Sequence, residues 1–381
     1  MRYAIVTETY PPEINGVALT VQALEQGLRS RGHEVSVIRP RRTGEIAGSP
    51  LEMLVPGLPL PRYAGLRFGL PTPGRLRARW HREPPDAVYV ATEGPLGWAA
   101  MRAARSLGVP VATGLHTRFD QYMRDYGAPL LAGPALAWMR RFHNLGDATL
   151  VPTTELQRAL AHDGFKRAVR LPRAVDTMQF DPARRDPGLR REWGLQDGSP
   201  AVIHVGRIAP EKNLDLLVRS FRAIQQDQPG ARMVWVGDGP MRPALQACNP
   251  DFIFCGMQRG VELGRYFASA DLFVFPSLSE TFGNVTLEAM ASGVATVAFD
   301  YGAAREHLRQ VCPDAVIDPG EPSAFVGAAV RLAGAAESRS SMARAGRDAV
   351  RRLRPEQVAA DFDALLQGLA AVGADADAAL A

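Results

Sequence analysis

The segment "SLSETFGNVTLEAMASGV", Ser277–Val294, follows the apolar run "DLFVFP" and contains two glutamates, Glu280 and Glu288, on either side of a Thr-Phe-Gly-Asn turn. The apolar run reads as a buried strand and "VTLEAMAS" as a helix closed by Gly293, so the turn joins the carboxyl end of a strand to a helix N-terminus. Unpaired backbone N–H groups gather at such a terminus, and with the helix dipole they attract an anion, typically a phosphate. Gly283 lets the backbone approach a ligand with no side chain in the way. Glu288 stands about one turn inside the helix, deep enough to reach a ribose diol, whose two hydroxyls a carboxylate accepts well. Glu280, before the turn, points at whatever is attached beyond the phosphates. The pair reads as a bracket around a nucleotide sugar.

Working outward, "PAVIHVGRIAPEKN" starts another strand at residue 200 and places Arg207 and Lys212 at its carboxyl end. A diphosphate leaving group gains charge as its bond to a sugar breaks, and two fixed cations stabilise it. Lys166 and Lys212 are the only lysines in an arginine-rich chain, a weak sign that a compact ammonium is wanted at Lys212.

Strands and helices alternate through both halves of the chain. "YAIVT", the helix "GVALTVQALEQGLRSRG" and "EVSVI" form a βαβ unit, continued by "AVYVAT", "VPVATGLH" and "ATLVPT". The second half repeats the alternation with "NLDLLVRSFRAIQQ", "RMVWVGDG", a helix from Met241, "FIFCG", "LFVFPS" and "ATVAF". The expected class is α/β: two Rossmann-like doubly wound domains whose strand ends face a cleft. The expected boundaries are 1–175, a polar linker over 176–199, a nucleotide-sugar domain over 200–355, and a C-terminal helix over 356–381 that returns to the first domain and ends in a frayed tail.

A net charge of +4 is too mild for a nucleic-acid binder, and no RNA-binding motif is present. Cys248, Cys255 and Cys312 share no CxxC spacing, which fits a reducing compartment rather than a disulfide framework or a zinc site. The opening "MRYAIVTETYPPE" breaks its apolar run at Thr7 and Glu8, so a cytoplasmic protein is expected.

"GRIAPEKNLDLLV", "VGDGP" and "SETFGNVTLEAMASG" together resemble the GT-B-fold, family 4 retaining glycosyltransferases, with their E-x7-E motif on Glu280 and Glu288. "TETYPPEINGVA", "GLHTRFDQY" and "AVDTMQFDP" extend the resemblance over nearly the whole chain. It comes nearest the branch of GDP-mannose-dependent α-mannosyltransferases and sulfoquinovosyl- or glucuronosyl-diacylglycerol synthases. The resemblance implies that Arg207 and Lys212 bind the donor diphosphate and Glu288 the ribose. Glu280, with Phe282, Gly283 and Asn284, would hold the donor sugar and phosphate. Gly16 matches a glycine loop over the diphosphate, with Asn15 in place of the first of two glycines. His116 matches a histidine at the sugar hydroxyls, Asp120 an acceptor-side acid, and Asp238 and Met257 the loops flanking the nucleotide. It further implies a front-face reaction in which the leaving phosphate oxygen takes the acceptor proton.

No DxD stands at a strand end, so transfer without a metal or other cofactor is expected, the GDP- or UDP-sugar being a co-substrate. "RYAGLRFGLPTPGRLRARWHR" interleaves Arg62, Arg75, Arg77 and Arg79 with aromatic residues including Trp80, a composition suited to an anionic bilayer. A lipid-linked acceptor and a peripheral location on the inner face of the plasma membrane are therefore expected. Two other readings compete. An NAD-dependent oxidoreductase would need GxGxxG at a first βα turn, which neither half has. A catalytically idle GT-B lipid- or polymer-binding protein would not need Glu280, Glu288, Arg207 and Lys212 together.

Overall fold

The computed structural model describes residues 1–13, 15–45, 48–49, 51–59, 67–118, 120, 123, 129–278 and 280–378. The chain divides into two units, Met1–Arg173 with Pro355–Ala381, and Ala174–Arg354.

The strands of unit 1 are β1 (Arg2–Val6), β2 (Glu34–Pro40), β3 (Glu52–Val55), β4 (Gly57–Pro59), β5 (Arg67–Gly69), β6 (Ala87–Val90), β7 (Val111–Gly114), β8 (Ala148–Val151) and β9 (Ala168–Arg170). Seven form one sheet in the order β3-β2-β1-β6-β7-β8-β9, with every pairing parallel. Parallel strands need crossovers that cover both faces of the sheet, which is why β6, β7 and β8 are buried at every position. β4 and β5 form a separate antiparallel hairpin.

The helix Pro355–Ala378 packs on the helix Gly16–Ser30, so closely that a methyl group at Gly27 would meet Ala359 Cβ at 2.3 Å. Its anchor is Asp363, which is 1% exposed. Tyr3 Oη (3.1 Å) and Arg31 Nε (2.8 Å) donate to its carboxylate, and His33 Nε2 lies 2.9 Å away. Phe362 beside it meets the Tyr89 ring edge-on at 5.1 Å.

Unit 2 contains β10 (Ala201–Val205), β11 (Arg232–Val236), β12 (Ile253–Phe254), β13 (Leu272–Phe275), β14 (Ala295–Phe299) and β15 (Val316–Ile317), in the parallel order β12-β11-β10-β13-β14-β15. The order reverses between β10 and β13. Loops leaving those two strands diverge there, and a doubly wound sheet binds its ligand in that crevice. Residues 176–199, read from composition as a linker, bring Phe180, Leu189 and Trp193 into the core of unit 2. Among the described residues no helix is long and apolar enough to cross a membrane.

Burial alone would raise the Asp363 pKa, but hydrogen bonds from Arg31, His33, Gln367 and Tyr3 outweigh it and hold the group down to about 2. A depressed carboxylate contributes stability above its unfolded pKa of about 3.9, and that contribution disappears as pH falls through the folded value. Asp363→Ala should cost about 3–5 kcal/mol at pH 7, because it strips the counter-charge from buried partners. Denaturant unfolding should also show the variant losing less stability than the wild type between pH 4 and pH 2. Equal acid dependence would remove Asp363 as the anchor.

Candidate functional site

The floor of the unit 2 crevice is built from glycine. Gly206, Gly237 and Gly256 follow β10, β11 and β12, and their loops are bonded through backbone alone: Gly206 N to Val236 O (3.0 Å), Gly237 N to Gly256 O (2.8 Å), Ile208 N to Asp238 O (2.9 Å) and Met241 N to Ile208 O (3.1 Å). A methyl group at Gly237 would fall 1.9 Å from the Gly206 carbonyl oxygen, and one at Gly239 2.3 Å from that of Ile208. Spacing in the sequence shows the glycines but not that their loops touch.

From this floor rise Arg207, more than half exposed and 3.4 Å from Glu211, and Lys212 at the end of the short 3-10 turn Pro210–Lys212. Asn213, at φ 54°, then turns the chain into the helix Leu214–Asp227. Lys212 Nζ donates to Glu280 Oε1, joining the loops after β10 and β13 across the switch point. Ser277 Oγ also donates to Glu280, at 3.1 Å. Below them the Tyr301 hydroxyl donates to the Ser277 carbonyl oxygen, and burial followed by the nearby Glu280 charge raises the pKa of that phenol. Ala303 N donates to the Phe282 carbonyl (2.7 Å), and Gly302, at φ 56°, leaves no room for a Cβ against that oxygen. Tyr301 and Gly302 hold the Glu280 loop in place. Neither was singled out from the sequence, where "DYGAA" carries no motif.

Gly283, at φ 85°, precedes the helix Asn284–Ala291, as the turn reading requires, and no side chain caps that helix end. Glu288 lies on the second turn of the helix. Among the described residues nothing hydrogen-bonds or ion-pairs with its carboxylate, and burial pushes it up to about 7. Phe282 is buried, so only its backbone is available to a ligand. Asp238 accepts from Gly239 N and lies 3.5 Å from Arg242, while Met257 is 56% exposed.

Candidates in unit 1 form other groupings. Gly16 opens the helix Gly16–Ser30, and Asn15, standing where a glycine was expected, caps it by accepting from Ala18 N (2.8 Å) and donating to Thr9 Oγ1 (2.7 Å). Asp120 is buried and gripped by both arms of Arg118 at 2.8 and 2.7 Å. His116 is 9% exposed, with Tyr89 Oη 2.9 Å from Nε2 and Arg173 donating to Nδ1. Glu8, in the "TETYPPE" loop after β1, was missed. It accepts from Leu96 N (3.0 Å) and Gly69 N, pinning the β4–β5 hairpin to the start of the helix Pro95–Arg105, and burial raises it to about 7.

Trp80 does not face a membrane, contrary to expectation. Arg75, Arg77 and Arg79 belong to the helix Pro73–Arg82, on which Leu76 and Trp80, four apart, share the buried side against Leu96, Ala99 and Ala100. Arg75 and Arg77 are exposed, Arg79 pairs with Glu83 at 3.4 Å, and Arg62 lies outside the described residues. Among the described residues no three His, Cys, Asp or Glu cluster as a metal site requires.

The description "Glycosyltransferase Family 4" matches residues 14–179, and "Glycosyl transferases group 1" matches residues 199–334. A GDP-mannose-dependent alpha-mannosyltransferase of Mycobacterium tuberculosis is 38% identical over 312 residues, 80% of this chain and 81% of that protein. The chain belongs to the family 4 glycosyltransferases. An alpha-monoglucosyldiacylglycerol synthase of Streptococcus pneumoniae is 28% identical over 314 residues, 78% of this chain and 71% of that protein. A sucrose-phosphate synthase of Thermosynechococcus elongatus superposes with a TM-score of 0.77 at 18% identity, covering 97% of this chain and 99% of that one, which shows the GT-B fold.

The Glu288 carboxyl, raised to about 7, is a burden on the folded state at alkaline pH. A carboxylate whose folded pKa exceeds its unfolded value of about 4.3 has its full stability only below that unfolded value, and loses it as pH rises through about 7. Glu288→Gln should therefore raise stability by on the order of 1–3 kcal/mol at pH 8.5 and by little at pH 4.5. Thermal unfolding at the two pH values checks this, and an equal effect at both would refute it.

Proposed function

We propose that the chain transfers a hexose, with retention of anomeric configuration and without a metal, from a nucleotide-diphosphate sugar to a hydroxyl of a lipid-linked acceptor. The observation that carries this reading is the Lys212–Glu280 junction at the switch point of unit 2, beside a glycine-led helix N-terminus and the unpartnered Glu288. GDP-mannose is the first donor to test, because the mycobacterial relative is named for it, and the diacylglycerol in the streptococcal relative's name supports a lipid acceptor.

In this reading the diphosphate lies over the Gly283 turn and draws Lys212 and the exposed Arg207 onto its oxygens. Those cations neutralise the charge that develops as the glycosidic bond breaks, so a divalent ion is not needed for that purpose. Glu288 accepts the ribose hydroxyls, and Glu280, released in part from Lys212, turns to the sugar. Asp238 and Met257 flank the nucleotide, and in unit 1 Asp120 serves the acceptor side. The leaving phosphate oxygen takes the acceptor proton on the face it vacates, so the protein's task is positioning and charge compensation. Arg75 and Arg77, with the exposed Phe68 and Leu70 nearby in sequence, contact an anionic lipid surface on the cytoplasmic side.

Incubation with GDP-mannose and a panel of UDP-sugars plus membrane lipids tests the function, with nucleotide release and a new glycolipid expected. Arg207→Ala and Lys212→Ala should each reduce kcat/KM by about 10- to 100-fold or more through loss of charged hydrogen bonds, and EDTA should leave the rate unchanged. Wild-type kinetics in both variants would dissolve the site, and an EDTA loss restored by magnesium or manganese would overturn the metal-free step. Arg75→Ser with Arg77→Ser should weaken co-sedimentation with anionic vesicles at low salt, while nucleotide affinity stays the same. Unchanged sedimentation would take this helix off the membrane.

A further inference from the structure

At the carboxyl ends of β6 to β9 in unit 1, an open recess of about 10 Å³ is lined by Tyr89, His116, Arg173 and the apolar Leu24, Leu150 and Leu171. Arg173 enters it with a guanidinium that, among the described residues, has no carboxylate partner. Among the described residues its one hydrogen bond is to His116 Nδ1. A guanidinium has five N–H donors, and taking it out of water without a counter-charge is costly. None of its nitrogens is both fully buried and without a partner, so the remaining donors are not sealed in protein, and Arg173 lines the recess.

The neighbouring ring fixes the rest of the polarity. Arginine can only donate, so His116 Nδ1 is the acceptor and the ring hydrogen sits on Nε2. Nε2–H then donates to the Tyr89 oxygen at 2.9 Å, which leaves the Tyr89 hydroxyl hydrogen with no acceptor among the described residues. Burial, together with the Arg173 charge, pushes the His116 pKa well below its ordinary value and keeps the ring neutral in this role. The recess thus presents the Arg173 charge and a Tyr89 hydroxyl hydrogen, and apart from His116 its other lining side chains are apolar.

We propose that Arg173 and Tyr89 form an anion subsite for a phosphate group of the acceptor, with His116 as the positioning residue that orients both. The enclosed room is that of about one water, so the anion binds at the open mouth, with its oxygens toward Arg173 and Tyr89 and the rest of the molecule outside. The acceptor is favoured as its source because Arg207 and Lys212 in unit 2 already supply the donor diphosphate's counter-charges. This rests on the glycosyltransfer reading above, and its first test does not require turnover.

Sulfate binding is measured by thermal shift against sodium chloride of equal ionic strength, in wild type, Arg173→Gln, Arg173→Lys and Arg207→Ala. Arg173→Gln should weaken sulfate binding by about tenfold or more, Arg173→Lys should retain part of it, and Arg207→Ala should keep the Arg173-dependent component. Unweakened sulfate binding in a folded Arg173→Gln protein overturns the subsite, even if transfer activity is confirmed. If sulfate binds but no donor is turned over, the subsite stands and the transfer reading fails. In steady-state assays with a phosphatidyl acceptor and an uncharged glycolipid acceptor, Arg173→Gln should raise KM about tenfold for the phosphatidyl acceptor alone, with little change in kcat. An equal rise for both acceptors, or a rise in donor KM confined to acidic donor sugars, refutes the assignment to the acceptor phosphate.

Discussion

The contact between the backbones of Gly206 and Gly237 is the constraint on which the rest of the candidate site depends. At 1.9 Å from a carbonyl oxygen, a Cβ at Gly237 cannot be relieved by a rotamer change, because the obstacle is backbone. Three loops can therefore lie bonded edge to edge, and Arg207 and Lys212 stand on the surface they form. Lys212 then reaches across the switch point to Glu280, so a ligand phosphate must compete with a carboxylate already in place. The pair keeps the two loops in register before any ligand arrives, at the cost of part of the cation's attraction for it.

The site also concentrates polarity that the fold does not satisfy. In unit 2, Glu288 is pushed up by burial with no compensating donor among the described residues, and Gly283 and Gly302 sit at positive φ.

How much could be read from the sequence depended on how local the cause was. The helix Leu214–Asp227 follows from its periodicity, the strands β10, β11, β13 and β14 from their short apolar runs, and the Gly283 turn from the neighbouring strand and helix. β9 and β15 are only three and two residues long, too short to show a period. Trp80 was misread because basic and aromatic composition took precedence over the four-residue spacing from Leu76, which sets both on the core side. Asp120 matched an acceptor-side acid, but nothing in the sequence shows its clasp by Arg118. The bonds of Asp363 to Tyr3 and Arg31 span more than three hundred residues, and no window along the chain contains them.

The return of Pro355–Ala378 to unit 1 makes that unit discontinuous, with the whole of unit 2 inserted between its parts. On the ribosome, every residue of unit 2 emerges before the last piece of unit 1 exists. The nascent chain can close the second sheet while the first still waits for Asp363 to meet Tyr3, Arg31 and His33. A transcript cut short near its end would accordingly yield a sound second unit attached to an unfinished first one, whose exposed flank is a target for chaperones and proteases.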